Sequence, residues 1–245
     1  MTDATLQRPP ATAGQATRAS IARWLAAAGG VYVASWIVGL FVAPSAPSPT
    51  ASDAKVQAFF AAHHSATLIQ ALLVHGIAGV ALGSFVGGLA RALPAPSAAG
   101  ARKLFLGAGL GAAVVSLVQF GLEIALNRRV TGDGSASGTA SLFHAVNVAD
   151  TVKLILLGVA IAAATRLAAA AGAFPGWLRA LGFALLPILV IGGLAFVIDS
   201  GALSAVLTVS LFLLLLWVAA ASVMAARVAS RLAAPEGGAR PPGTR

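Results

Sequence analysis

Apolar residues run almost without interruption through six stretches of the chain, and each stretch is closed by charged or Pro/Gly-rich residues. The first covers about 21–42, "IARWLAAAGGVYVASWIVGLFV", and the others about 67–90, 104–127, 142–165, 180–198 and 203–226. Each is close to the ~20 residues that carry a helix across ~30 Å of hydrocarbon. Continuous runs do not fit the alternating ten-residue segments of an outer-membrane barrel, and a helix satisfies its own backbone in lipid. The pattern predicts an all-α bundle of six transmembrane helices over 21–231. Polar tails with no apolar period flank it at 1–20 and 232–245 and are expected to be disordered. The first stretch lacks the layout of a cleaved signal peptide and reads as a retained anchor.

The connecting segments predict smaller features. Prolines in "APSAPSPTAS" stop the first helix, because proline lacks the backbone donor and restricts its predecessor. Asp53–His64 follows, with Val56, Phe59 and Phe60 on one face, so a short amphipathic helix at the outer surface is expected. "VTGDGSASGTAS" predicts a flexible loop, and Asp199-Ser200-Gly201 a tight turn. Pro187 predicts a kink or break in the fifth stretch. Trp24 and Trp36 are expected as interface anchors of the first.

Composition narrows the class. Of 245 residues, 58% are hydrophobic and 9% charged, against roughly a quarter charged in soluble domains. That is too little charge to cover a water-facing surface. The net charge of +9 does not signal nucleic acid, because the basic residues lie in short segments between apolar runs. One side of a six-crossing layout collects Arg8, Arg18, Arg23, Arg91, Arg102, Lys103, Arg166, Arg179, Arg227, Arg231, Arg240 and Arg245. The other holds Lys55, Arg128 and Arg129, while Lys153 falls inside the fourth stretch. The positive-inside rule then puts both termini in the cytoplasm. Abundant Ala and Arg with scarce Lys fit a GC-rich bacterial coding bias, so a bacterial inner membrane is the expected location.

Polar residues inside apolar runs are costly and mark candidate chemistry. Gln119, Glu123 and Asn127 recur every four residues on the third stretch, near one face. "SLFHAVNVADTVK" opens the fourth, with His144, Asn147 and Thr151 on one face and Asp150 and Lys153 as an i, i+3 pair on an adjoining one. The second carries His63 and His64 at its outer end and His75 three turns deeper, in register with His64. The candidates for an outward-facing ligand or ion cavity between spans two, three and four are His75, Gln119, Glu123, His144, Asn147, Asp150 and Lys153. The competing reading is structural: Glu123 and Asp150 neutralise Lys153, Arg128 or Arg129 near the outer interface. Gly79, Gly83 and Gly87 on the second stretch, and Gly107 and Gly111 on the third, predict close helix packing. That packing is either within the chain or across a homo-oligomer or membrane-protein interface.

Other chemistry finds little support. The chain has no cysteine, which removes disulfides, thiolate metal sites and cysteine nucleophiles. No H-E-x-x-H, G-x-S-x-G or phosphate-binding glycine motif is present, and Ser84 and Ser116 read as packing residues. Haem needs axial ligands on facing helices, which leaves His75 and His144 for one at most, and a metal at His63, His64 and His144 meets adjacent histidines that project on different helix faces; no cofactor and no metal is expected. An intramembrane enzyme acting on lipid or quinone is a third class that no residue constellation supports.

The segment "AFPGWLRALGFALLPILVIGGL" (173–194) resembles a recurring pattern in uncharacterised multi-pass membrane proteins of GC-rich bacteria, of the domain-of-unknown-function type. In these a helix ends, a Pro-x-Trp-Leu turn follows, and the next span opens with small and apolar residues. The layout is similar over most of the chain. The resemblance implies a six-helix membrane fold and carries no site residue with it.

Overall fold

The computed structural model describes residues 13–93, 95–132 and 136–233, and every regular element among them is helical. In chain order these are α1 (Ala13–Val42), α2 (Asp53–Ala62), α3 (His64–Ala71), a π-helical turn (Leu72–Ile77) and α4 (Ala78–Ala92). Then come α5 (Ala99–Gly132), α6 (Thr139–Ala170), α7 (Gly176–Gly193) and α8 (Gly201–Ala233). The π turn joins α3 to α4 without a break. Six helices are long and apolar enough to cross a membrane: Ala19–Val42, His64–Ala92, Pro96–Gly132, Thr139–Ala170, Gly176–Phe196 and Gly201–Arg231.

Local chemistry sets the boundaries. α1 stops ahead of Pro44. Just past the end of α6 stands Gly172, whose φ of +61° suits a residue without Cβ. There the Ala173 N–H reaches the Ala168 carbonyl at 2.9 Å and the Gly172 N–H the Ala169 carbonyl at 3.1 Å, the paired bonds of a Schellman ending. Three expectations need correction. Residues 13–20 are helical, whereas the rest of the proposed first tail, and 234–245 of the last, lie outside the described residues. The Gly/Ser loop shrinks because α5 continues to Gly132 and α6 starts at Thr139. α7 continues through Pro187 without the break, because the ring removes a single backbone donor and leaves the rest of the ladder in place.

Consecutive spans pack side by side, and α8 returns against α1, so the six long helices close into a ring. Neighbours run antiparallel. Leu25 near the start of α1 meets Gly88 near the end of α4, and Gly29 meets Ser222 of α8. The shared core is rich in Leu and Ala, with Trp217, Phe105, Leu185 and Leu189 fully buried. The ring's outer face carries exposed Phe41, Val80, Val118 and Phe212.

The glycines of α4 and α5 differ in what they face. A Cβ on Gly79 would lie 3.2 Å from Ser116 and one on Gly83 3.6 Å from Ala113, so both face α5, and Gly111 faces Leu156 of α6. Gly87 meets only Arg91 of its own helix, and Gly107 is exposed with nothing nearby. A row at four-residue spacing drifts by about 40° per step, which carries Gly87 off the contact. Closer approaches occur elsewhere: a Cβ at Gly109 would lie 2.7 Å from Val86, and one at Gly192 3.0 Å from the Leu207 backbone.

α2 does not present its apolar face to a membrane surface. Val56 and Phe60 bury it against Leu126, Val130 and Phe143 at the adjoining ends of α5 and α6. Phe60 meets Phe143 edge-on at 6.0 Å. The α2 helix thereby roofs the end of the bundle where the polar residues of the second, third and fourth spans collect.

Candidate functional site

Lys153 is the organising residue. It sits well inside α6, 2% exposed, and an ammonium in such a place needs an acceptor for each of its three donors. It has them. Nζ lies 2.6 Å from Asp150 Oδ1, one turn back on α6. It donates to Gln119 Oε1 of α5 at 2.8 Å and to His75 Nδ1 of the π turn at 3.1 Å. The Trp36 ring of α1 covers it at 5.5 Å from the ring centroid, a favourable position for a cation over an aromatic face. One amine thus ties four helices together.

Each partner extends the network. Gln119 is fully buried and donates Nε2 to the Val146 carbonyl at 3.2 Å. Because Nδ1 of His75 accepts from Lys153, the ring proton belongs on Nε2. Nε2 faces Glu123 Oε1 of α5 at 3.5 Å. A π turn interrupts the regular helical ladder, and Ser116 Oγ donates to the His75 carbonyl at 3.1 Å. Ser116 therefore braces the turn that presents His75. Further toward α2, Asn127 Nδ2 donates to the Glu123 carbonyl at 3.0 Å, and Thr67 Oγ1 donates to Asn127 Oδ1 at 3.0 Å. Thr151 donates to the Gly193 carbonyl at 2.9 Å, joining α6 to the end of α7.

Next to this network lies a cavity of about 370 Å³. Its polar wall is His75, Glu123, Asn147, Asp150, Gln70 and Thr67, and Trp36 and Phe143 also line it. α2 adds Phe59 and Phe60, the segment after α1 adds Pro44 and Ser45, and α8 adds Leu207 and Thr208. Lys153 and Gln119 stand behind the wall. Two wall atoms are buried without a hydrogen-bond partner among the described residues: Glu123 Oε2 and Asn147 Nδ2. One accepts and the other donates, so together they can grip a small polar molecule.

Six of the seven candidate residues converge here; His144 does not. It is exposed on α6. Phe143, Asn147, Asp150 and Leu154 mark the buried face, and His144 sits about 90° around the helix from its centre, at about 100° per residue. The cavity is also wider than expected, because α1, α2 and α8 contribute. Trp36 is buried over Lys153 and borders the cavity; an aromatic near a span end fits a core or an interface position, so its sequence position could not separate them. Gln70, a lone amide in an apolar run, donates to the Gly39 carbonyl at 3.1 Å, and its polarity was the signal to find it. Arg128 and Arg129 do not pair with Glu123. Arg128 is exposed, and Arg129 donates to the Ser137 carbonyl at 2.7 Å. His63 lies against Phe59 with ring centroids 5.0 Å apart and planes tilted by 58°, and His64 does not line the cavity. No group of three or more His, Asp or Glu among the described residues is arranged to hold a metal ion.

The roof is pinned by one carboxylate. Asp53, in the first turn of α2, accepts from the Ala140 N–H at 2.6 Å, the Gly138 N–H at 3.3 Å and Thr139 Oγ1 at 3.3 Å. α6 has no side-chain cap of its own, so Asp53 supplies one from another helix, satisfying donors that a helix start leaves open. These bonds, that to Ala140 foremost, hold the Asp53 carboxyl below its ordinary range, with help from the nearby Arg129 charge. On the other side of the mouth, Ser48 Oγ donates to Asp199 Oδ2 at 2.7 Å, fastening the α1–α2 segment to the α7–α8 turn.

Fold and site together define a class: an all-helical bundle with six helices fit to cross a membrane and a polar, roofed cavity at one end. No protein-family model, curated protein or solved structure matches the chain.

Proposed function

We propose that this chain is a multi-pass protein of the bacterial inner membrane, with both termini cytoplasmic, that binds a small ligand in the roofed cavity to sense or move it. The observation that carries the reading is the pair of buried, unpartnered atoms in one wall, Glu123 Oε2 and Asn147 Nδ2. A buried polar group without a partner costs roughly 1–3 kcal/mol, and a bound solute offering both a donor and an acceptor removes that cost. Orientation rests on charge. Arg91, Arg102, Lys103, Arg166, Arg179, Arg227 and Arg231 lie at helix ends away from the cavity, and Lys55, Arg128 and Arg129 lie beside it. The positive-inside rule then makes the cavity outward-facing.

A structural role alone accounts for Lys153, whose three donors are all used, but not for the two open wall atoms. The test is thermal unfolding of the purified protein in lipid nanodiscs against a panel of small cationic, neutral and anionic solutes. At least one is expected to raise the midpoint saturably, by the equivalent of about 2.7 kcal/mol at a hundredfold excess over Kd. The same solute should lose its effect on Glu123→Gln and Asn147→Leu. A flat response across the whole panel would contradict the binding reading.

A further inference from the structure

Resting on that reading, we infer that the cavity selects a small organic ammonium ion, with its charge at Glu123 and its apolar body against the aromatic wall. The cavity wall contains two carboxyl groups, Glu123 and Asp150, and no Lys or Arg. Lys153 stands behind it and is paired with Asp150 at 2.6 Å. Once that pair is set aside, Glu123 is the acid without a basic partner of fixed charge, and the neutral His75 imidazole faces it with Nε2 at 3.5 Å. An approaching anion would meet this carboxyl and find no free donor on Lys153, whose three positions go to Asp150, Gln119 and His75.

The rest of the wall fits an organic cation better than a bare metal ion. Trp36, Phe59, Phe60, Phe143 and Phe196 all border the cavity, and aromatic faces attract alkylammonium groups through their quadrupoles. A hard metal ion instead needs about six oxygen ligands, and no group of three or more His, Asp or Glu among the described residues could supply such a site. The volume of about 370 Å³ lies at the small end of the range for organic-ligand pockets and leaves room for such a cation. Asn147 Nδ2 remains to donate to a hydroxyl or carbonyl on the same molecule.

A charge series on one shape tests the inference: 2-(trimethylammonio)ethanol, its neutral carbon isostere 3,3-dimethylbutanol, and the anion 3,3-dimethylbutanoate. Each is titrated by calorimetry into the full chain in nanodiscs of zwitterionic lipid. The cation is expected to bind saturably. Its affinity should fall by about tenfold or more on Glu123→Gln, because the quaternary nitrogen has no N–H to donate and is held at that wall by charge attraction, which the neutral amide removes, and also on Phe60→Leu. The conservative variant Glu123→Asp should retain part of it. Stronger binding of the alcohol or the carboxylate would overturn the cation inference while leaving a ligand cavity standing. Cation binding that is unchanged in Glu123→Gln would place the ion elsewhere and overturn the inference. No saturable binding by any of the three would overturn it as well, and with a flat panel in the unfolding experiment the binding reading also falls.

Discussion

At the scale of single residues, the account turns on an amine buried in an apolar bundle. Lys153 is tolerated because Asp150, Gln119 and His75 take its protons and Trp36 covers it. Removing one member of such a pair strands the other. Lys153→Met should therefore destabilise the protein by about 3–5 kcal/mol, whereas Lys153→Met with Asp150→Leu should be more stable than Lys153→Met alone. Unfolding midpoints of the four proteins in this cycle check it, and strictly additive losses would contradict the pairing. Most of this network was legible in the sequence, because Gln119, Glu123, Asp150 and Lys153 interrupt apolar runs in which each polar group needs a reason. Trp36 was not, since an aromatic suits a core, an interface or a cation equally well. His144 misled because a helix's buried face depends on where its neighbours stand, which spacing within the helix does not record.

At the scale of elements, two features carry predictions. The first is the bond set between Asp53 and the start of α6, which pins the roof. A carboxyl held below its ordinary value of 3.8 contributes its full stabilisation above that value and loses it as pH falls through the lowered one. Amide exchange of residues 53–62, corrected for intrinsic rates, should thus stay slow above the carboxylate range and quicken at more acid pH. Asp53→Asn should exchange faster than the parent at neutral pH; matching profiles would contradict the staple. The second is the contrast between two glycines of α5. Gly107→Ala meets open space and should stabilise by about 0.5–1 kcal/mol through helix propensity. Gly109→Ala would bring a methyl 2.7 Å from the stiff Val86 side chain and should cost about 1–3 kcal/mol. Thermal melts decide, and equal effects would mean that Gly109 does not face Val86. The six helices and their order were readable from apolar run lengths. Their ends were not: α1 begins at Ala13 and α6 at Thr139, the latter because Asp53 caps it from a distant part of the chain.

At the scale of the whole molecule, the ring of six helices gives the two ends different jobs. One end is banded by arginines at helix termini, and the other gathers acids, amides and aromatics under the α2 roof. The division along each helix was visible in the sequence, but the closure of α8 on α1 was not, because nothing in a linear pattern fixes the contact between first and last spans. It is this closure that brings Leu207 and Thr208 to the cavity beside Trp36. The central claim, an outward-facing cavity that favours cations, can be read in one labelling experiment, since the chain has no cysteine of its own. Single-cysteine variants Asn147→Cys, in the cavity wall, and Ser97→Cys, at the opposite end, are exposed in intact cells to membrane-impermeant methanethiosulfonates. One reagent carries a trimethylammonium group and the other a sulfonate. The account predicts that Asn147→Cys reacts without permeabilisation and faster with the cationic reagent, while Ser97→Cys reacts only after the membrane is opened. Labelling of Ser97→Cys in intact cells, or an Asn147→Cys that is inert or prefers the sulfonate, would contradict it.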